Sequence, residues 1–308
     1  MNFHSVFTVA LLSLVALPPL VAKDAERTGE FVSYLAAMSA AHSQRQSGDL
    51  EASRDALEEA VKLASNERKR CDAYRMLVSV YPETGDADKM FEALDHCIEH
   101  APYPAFASLT LQSALAIARR KGLESKMRDR YEARLEKFPE DRTALVVMEK
   151  FTYLVLHDHR KRGEYIDRLI ELDKSDGKDP NLEMLANRAF SYRLSREYVK
   201  SAELYESTAK LDKDLQAFCL MEAAEAWRRA DATEKSIAAA TQASELGPGK
   251  KARRSLYRWH RTLADIFLAN LMKQPAEKHF EAALEEANID AYRKQCTEKL
   301  ALVRALKD

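Results

Sequence analysis

The chain has 308 residues, of which 48 are basic and 49 acidic, for a formal net charge of −1. That balance excludes a global attraction to nucleic acid or to an anionic membrane, so any electrostatic recognition has to be local. Only 8 glycines and 9 prolines occur, among abundant Ala, Leu, Glu, Lys and Arg, which is the composition of an all-α protein.

Residues 6–17 form an uncharged, mostly apolar run, broken by Thr8 and Ser13, that ends at Pro18-Pro19. It is shorter than the roughly 20 residues that a spanning helix needs and reads as part of a secretory signal over residues 1–22, cut after Ala22, the alternative being an uncleaved membrane anchor. The expected location is therefore extracytoplasmic, periplasmic or secreted. No Cys follows the run, which argues against lipid attachment of the bacterial type, and no later stretch approaches membrane-spanning length.

Gly48, Gly85, Gly122 and Gly163 lie 37, 37 and 41 residues apart, each between segments whose apolar residues recur at three and four places. Each is read as a tight turn within an antiparallel helix pair. Pro102, Pro104, Pro139, Pro180, Pro248 and the stretch 176–179 fall at the far ends of those pairs. A small, large, small pattern follows the turns: Ser53, Leu57, Ala60, then Ser201, Tyr205, Thr208 after Arg196. It returns as Ser236, Ala240, Ala243 after Asp231, and as Ala276, Phe280, Ala283. First helices carry matching faces, such as Tyr74, Leu77, Val78, Tyr81 and Leu220, Ala223, Ala224, Trp227.

On these residues the chain resembles the tetratricopeptide repeat family over almost all of residues 23–308. The units run approximately over 28–65, 69–102, 105–139, 142–176, 181–213, 216–248 and 252–288, with a capping helix over 289–307. The resemblance implies an α-solenoid, a superhelix of about seven antiparallel helix pairs whose first helices line a concave surface. The family's mid-helix glycine is replaced by Ala41, Val78, Leu115, Ala189, Ala224 and Ala264. A helix of this length is marginal alone in water, and one pair cannot bury its apolar face, so each unit needs its neighbours. Small residues let helices approach, and Tyr74, Tyr81, Tyr131, Tyr205, Trp227 and Phe280 are expected to fill the space between them as core.

Little in the sequence suggests catalysis. Phosphate-cradling loops, GxSxG and CxxC are absent, and no cofactor is expected. His96 and His100 stand one helical turn apart, but Cys97 at the small inward position points away from them, so no metal site is expected there. Cys71 and Cys97 are each 13 residues from Thr84 in the turn of one pair. They should stand at similar height on adjacent helices, as candidate disulfide partners in an oxidising space or as two buried thiols.

Arg45, Arg119, Arg160, Arg193 and Arg228 are each placed three residues before the turn of their own unit. On first helices they would form a ladder joined by Arg75, Arg120, Arg229 and Arg261, suited to carboxylates or phosphates. A cation in a last helical turn is equally explained by the helix dipole. The family's carboxylate clamp of lysines and asparagines is not carried over. The basic run Lys250-Lys251-Ala252-Arg253-Arg254, continuing to Arg258 and Arg261, opens a repeat helix as a solvated start without stacking aromatics, so nucleic acid is not the expected partner. The expected function is a non-enzymatic scaffold of the cell envelope binding a peptide or acidic protein segment in a basic groove. The alternative is an assembly adaptor using the convex face or the last helix, and the rival of another class is a metal-binding or enzymatic helical protein.

Overall fold

The computed structural model describes residues 31–179, 181–249 and 255–306. The signal segment 1–22 and the run Lys250-Lys251-Ala252-Arg253-Arg254 lie outside the described residues. The chain divides into two compact units, one up to Met127 and one from Arg128.

Among the described residues there are fifteen α-helices, one π turn and no strand, the all-α architecture expected. In the first unit α1 (Tyr34–Ser47) is followed by α2 (Leu50–Leu63), α3 (Glu67–Val80), α4 (Ala87–Glu99) and α5 (Pro104–Lys121). The division falls inside α6 (Glu124–Lys137). The second unit continues with α7 (Arg142–Phe151), the π turn Thr152–Leu156 and α8 (His159–Ser175). Then come α9 (Leu182–Leu194), α10 (Tyr198–Ala209), α11 (Lys213–Arg229), α12 (Thr233–Leu246), α13 (Leu256–Ala269), α14 (Lys273–Glu285) and α15 (Asp290–Ala305).

Helix starts follow from the sequence. Asp49, Asn66, Asp141, Asp158 and Asp212 each accept a hydrogen bond from the backbone N–H three residues on, satisfying a donor that the first turn would otherwise leave unpaired. The turns within pairs repeat one device. The N–H of residues 49, 86, 123, 197, 232 and 272 returns to the carbonyl five residues earlier, at 2.8–3.0 Å, with a left-handed residue between. That residue is Gly48, Gly85 or Gly122 in the first three cases, and Arg196, Asp231 or Leu271 in the later ones.

Gly163 is not such a corner. It is buried inside α8, and the left-handed residue of its pair is His157, with φ 54°. Thr152 Oγ1 donates to the carbonyls of Met148 and Glu149, at 2.7 and 3.0 Å, where the α-helical ladder gives way to the π turn. Gly163 serves a close approach instead: a Cβ there would lie 2.1 Å from Arg188 Nη1. The Arg188 guanidinium is held by two 2.7 Å hydrogen bonds to Asp167 and lies 3.7 Å from the Tyr192 ring centroid.

The small, large, small pattern is the seam of each pair. Ser53, Leu57 and Ala60 are fully buried, as are Ser236, Ala240 and Ala243. The serine has a specific task. Ser53, Ser201 and Ser236 each donate across the pair to the carbonyl of the residue twelve earlier, Ala41, Ala189 and Ala224, at 2.8–2.9 Å. Those alanines occupy the positions where the family resemblance placed glycine, so a methyl group and a hydroxyl together set the helix spacing. Of the expected core aromatics, Tyr81, Tyr131, Tyr205, Trp227 and Phe280 are buried, whereas Tyr74 is half-buried. In the second unit Arg162 is also buried, bonded to Glu149 at 2.7 Å with its guanidinium 4.1 Å from the Tyr153 ring centroid.

The last helix buries Cys296, Leu300 and Val303. Two of its cations reach back to the preceding pair: Lys299 to Asp265 at 3.4 Å, and Arg304 to Glu277 and Glu281 at 2.6 and 2.8 Å. They fasten the helix to α13 and α14.

Candidate functional site

Arg45, Arg119, Arg193 and Arg228 occupy equivalent places. Each lies in the last turn of its helix, and its carbonyl accepts the N–H of the left-handed residue three places on. Arg160 does not belong to the set: with the turn at His157, it falls at the start of α8, a second helix. The ladder is thus four rungs in two units, and its members differ in their partners.

Arg45 and Arg119 are exposed, with no carboxylate partner among the described residues. Arg75 lies 3.7 Å from Asp72 and over the Phe106 ring, while Arg120 and Lys121 share Glu83, at 3.1 and 2.6 Å. Arg120 and Lys121 are thus paired locally, whereas Arg75 is only loosely engaged.

In the second unit the first helices α9, α11 and α13 bring the arginines together with α15 around a cleft of about 640 Å³. Five guanidiniums, from Arg193, Arg228, Arg229, Arg258 and Arg261, meet three carboxylates, from Glu222, Glu225 and Asp265. Glu222 is almost fully buried and is bonded from both sides, by Arg193 and by Arg258, the latter at 2.7 Å. Glu225 accepts from Arg228 at 2.8 and 2.9 Å and from Arg229 at 2.7 Å. Burial works to raise the Glu225 carboxyl, but the hydrogen bonds from Arg228 and Arg229 outweigh it and hold it below the ordinary carboxylate range. Arg261 is only loosely engaged, 3.6 Å from Asp265. Tyr257 and Tyr292 stack at one wall, with ring centroids 4.5 Å apart.

The arrangement sorts the arginines by task. Arg193 is enclosed, its side chain 11% exposed, and neutralises a buried carboxylate. Arg258, Arg229 and Arg261 are 57%, 47% and 45% exposed, and each keeps donors of its five-donor fork open to solvent. Sequence reasoning missed Glu222 and Glu225, and took Arg258 only as the continuation of a basic run. Glu222 lies 29 residues from Arg193 and 36 from Arg258, so charges of opposite sign about one repeat apart are the signal that finds this set.

All four cysteines are free and buried. Cys71 and Cys97 do stand side by side on α3 and α4, but each thiol donates to a carbonyl: Cys71 to His100 at 3.2 Å, Cys97 to Cys71 at 3.7 Å. The candidate disulfide is therefore not formed in this structure. His96 and His100 have ring centroids 4.5 Å apart, and burial holds the His96 imidazole below its ordinary value, helped by the positive neighbours His100 and Arg70. At the other end of the chain His279 is buried between Ser244 Oγ, 2.8 Å from Nε2, and His260 Nδ1, 3.0 Å from Nδ1.

No protein-family model matches the sequence, and no curated protein matches it. Among solved structures the chain is similar to a tetratricopeptide repeat protein from Parabacteroides merdae, at 14% identity over 88% of this chain and 98% of that one, with a TM-score of 0.44. It is similar to the C-terminal part of a TPR repeat-containing protein from Cytophaga hutchinsonii, at 15% identity over 84% and 98%, with a TM-score of 0.46. A third similar structure is human IFIT1, a dimer with m7Gppp-AAAA, at 15% identity over 92% and 67%, with a TM-score of 0.39.

Proposed function

We propose that this chain is an exported, non-enzymatic scaffold of the cell envelope that holds an acidic segment of a partner protein against the first-helix face of its second unit. Stacked helix pairs present broad surfaces suited to protein partners. The observation that carries the proposal is the excess of guanidinium over carboxylate in the cleft of α9, α11, α13 and α15. Glu222 and Glu225 preorganise four of the arginines, and the open donors of Arg229, Arg258 and Arg261 match carboxylates bidentately. The export part of the proposal is supported by the apolar run over residues 6–17 and the prolines after it.

Binding of a fluorescent glutamate-rich peptide to the full chain, measured by anisotropy, tests the reading. The combined variant Arg229→Ala, Arg258→Ala, Arg261→Ala should weaken binding at least tenfold, roughly 1.4 kcal/mol or more, and binding should fall with added salt. Unchanged affinity in that variant, or equal binding of a lysine-rich peptide, would refute the assignment.

A further inference from the structure

The first unit holds a second cluster, unrelated to the arginine cleft. Glu67 and Cys71 are one turn apart at the start of α3, and His96 comes to them from the last turn of α4. One carboxylate oxygen, the Cys71 Sγ and one ring nitrogen all lie within 4.8 Å of one another. We propose that Glu67, Cys71 and His96 bind a zinc-class transition-metal ion through three protein ligands, with a fourth position left to water.

Three features support this. The first is spacing. A tetrahedral ion with ligand bonds of about 2.0–2.3 Å sets its ligand atoms roughly 3.3–3.8 Å apart. The His96 Nε2 to Glu67 Oε2 edge is already 3.4 Å, and the sulfur, within 4.8 Å of the other two ligand atoms, closes the remainder by a side-chain rotation in which the thiol gives up its hydrogen bond to the His100 carbonyl.

The second is an unsatisfied atom. His96 Nε2 is out of contact with solvent and has no hydrogen-bond partner among the described residues, whereas buried polar atoms are nearly always paired. It faces a carboxylate oxygen and a thiol, the two other donors such an ion takes.

The third is the division of labour on Glu67. Arg70 pairs with Oε1, while Oε2 faces His96. A charged neighbour that fixes one oxygen and aims the other is the arrangement that outer-shell residues give to metal-bound carboxylates. The mixed sulfur, nitrogen and oxygen set favours zinc over calcium or magnesium, which take oxygen ligands.

On binding, the Cys71 proton passes to solvent and the thiolate replaces the thiol as donor. The same sulfur cannot also be bridged to Cys97, so oxidation of that pair and metal binding are mutually exclusive.

The test uses the reduced full-length chain titrated with cobalt(II) alone, then with zinc(II) alone. The expected result is one equivalent of cobalt, bound with a thiolate-to-cobalt absorption band that zinc abolishes. Glu67→Gln and His96→Gln should each weaken binding at least about tenfold, and Cys71→Ser should remove the band, whereas His100→Ala and Cys97→Ser should retain it. Glu67 is exposed, so its variant stays informative even if Cys71→Ser fails to fold. Cobalt bound without the thiolate band, or affinity unchanged in Glu67→Gln and His96→Gln, would overturn the proposal.

Discussion

Acidification should weaken the C-terminal pairs through His279, a buried imidazole whose surroundings allow one proton fewer than it would take in water. Its neutral ring donates through one nitrogen and accepts through the other, between Ser244 and His260. Burial, with His260 and Lys278 as positive neighbours, pushes the group down to about 4. Glu285 and Glu286, beside His260, pull the other way but do not overcome the burial of that ring, which is also held below its ordinary value. The unfolded chain takes up the His279 proton near 6.5 and the native chain only near 4, so native stability falls as pH drops through that window and is flat on either side. At about 1.36 kcal/mol per pH unit, the whole window is worth about 3 kcal/mol. Trp227 and Trp259, on α11 and α13, are the two tryptophans of the chain, so their fluorescence in urea reports this region. Between pH 7 and pH 4.5 the parent chain should lose about 2–3 kcal/mol more than His279→Gln does. Equal losses in the two chains would refute the argument.

The arginine pairs separate stability from binding. Arg193→Ala should cost about 2–3 kcal/mol in urea unfolding, somewhat less than stripping a buried charge of its sole partner, because Arg258 remains on Glu222. Arg119→Ala, at the equivalent place without a carboxylate, should shift the same transition by less than about 1 kcal/mol; matching losses in the two variants would contradict the distinction. Ser201→Ala, which deletes the hydrogen bond to the Ala189 carbonyl, should cost about 1 kcal/mol, and Ser201→Leu more, by overpacking the seam. A leucine variant as stable as the parent would show that the seam is looser than described. Leu271 holds φ 56° while exposed, so Leu271→Gly should raise the thermal midpoint, by up to about 1 kcal/mol of stability. A lowered midpoint would show that the leucine side chain contributes more than its backbone costs.

The repeat was legible where one residue type has one physical use. Ser53, Ser201 and Ser236 recur because a buried position against a facing backbone admits a small side chain, and periodicity exposes that directly. Gly48, Gly85 and Gly122 marked true corners for the same reason. Gly163 misled because glycine has two uses: the left-handed turn had passed to His157, and the glycine made room for Arg188. The arginines were legible as a position but not as a site. Charge position within a helix is local information, whereas the one carboxylate that binds both Arg193 and Arg258, Glu222, comes from another repeat. Cys71 and Cys97 were placed side by side correctly from their equal distances to the turn, yet Glu67 escaped notice and His96 was weighed only with His100, because the approach of Glu67 to His96 depends on how α3 and α4 pack.

Arginine footprinting shows whether the cleft of the second unit grips an acidic segment. The full chain is treated with phenylglyoxal in the presence and absence of a glutamate-rich peptide, and modification is read residue by residue by mass spectrometry. The peptide should protect Arg229, Arg258 and Arg261 while Arg45 and Arg119 react as before. Protection spread evenly over all five, or none at the three cleft residues, would contradict the assignment.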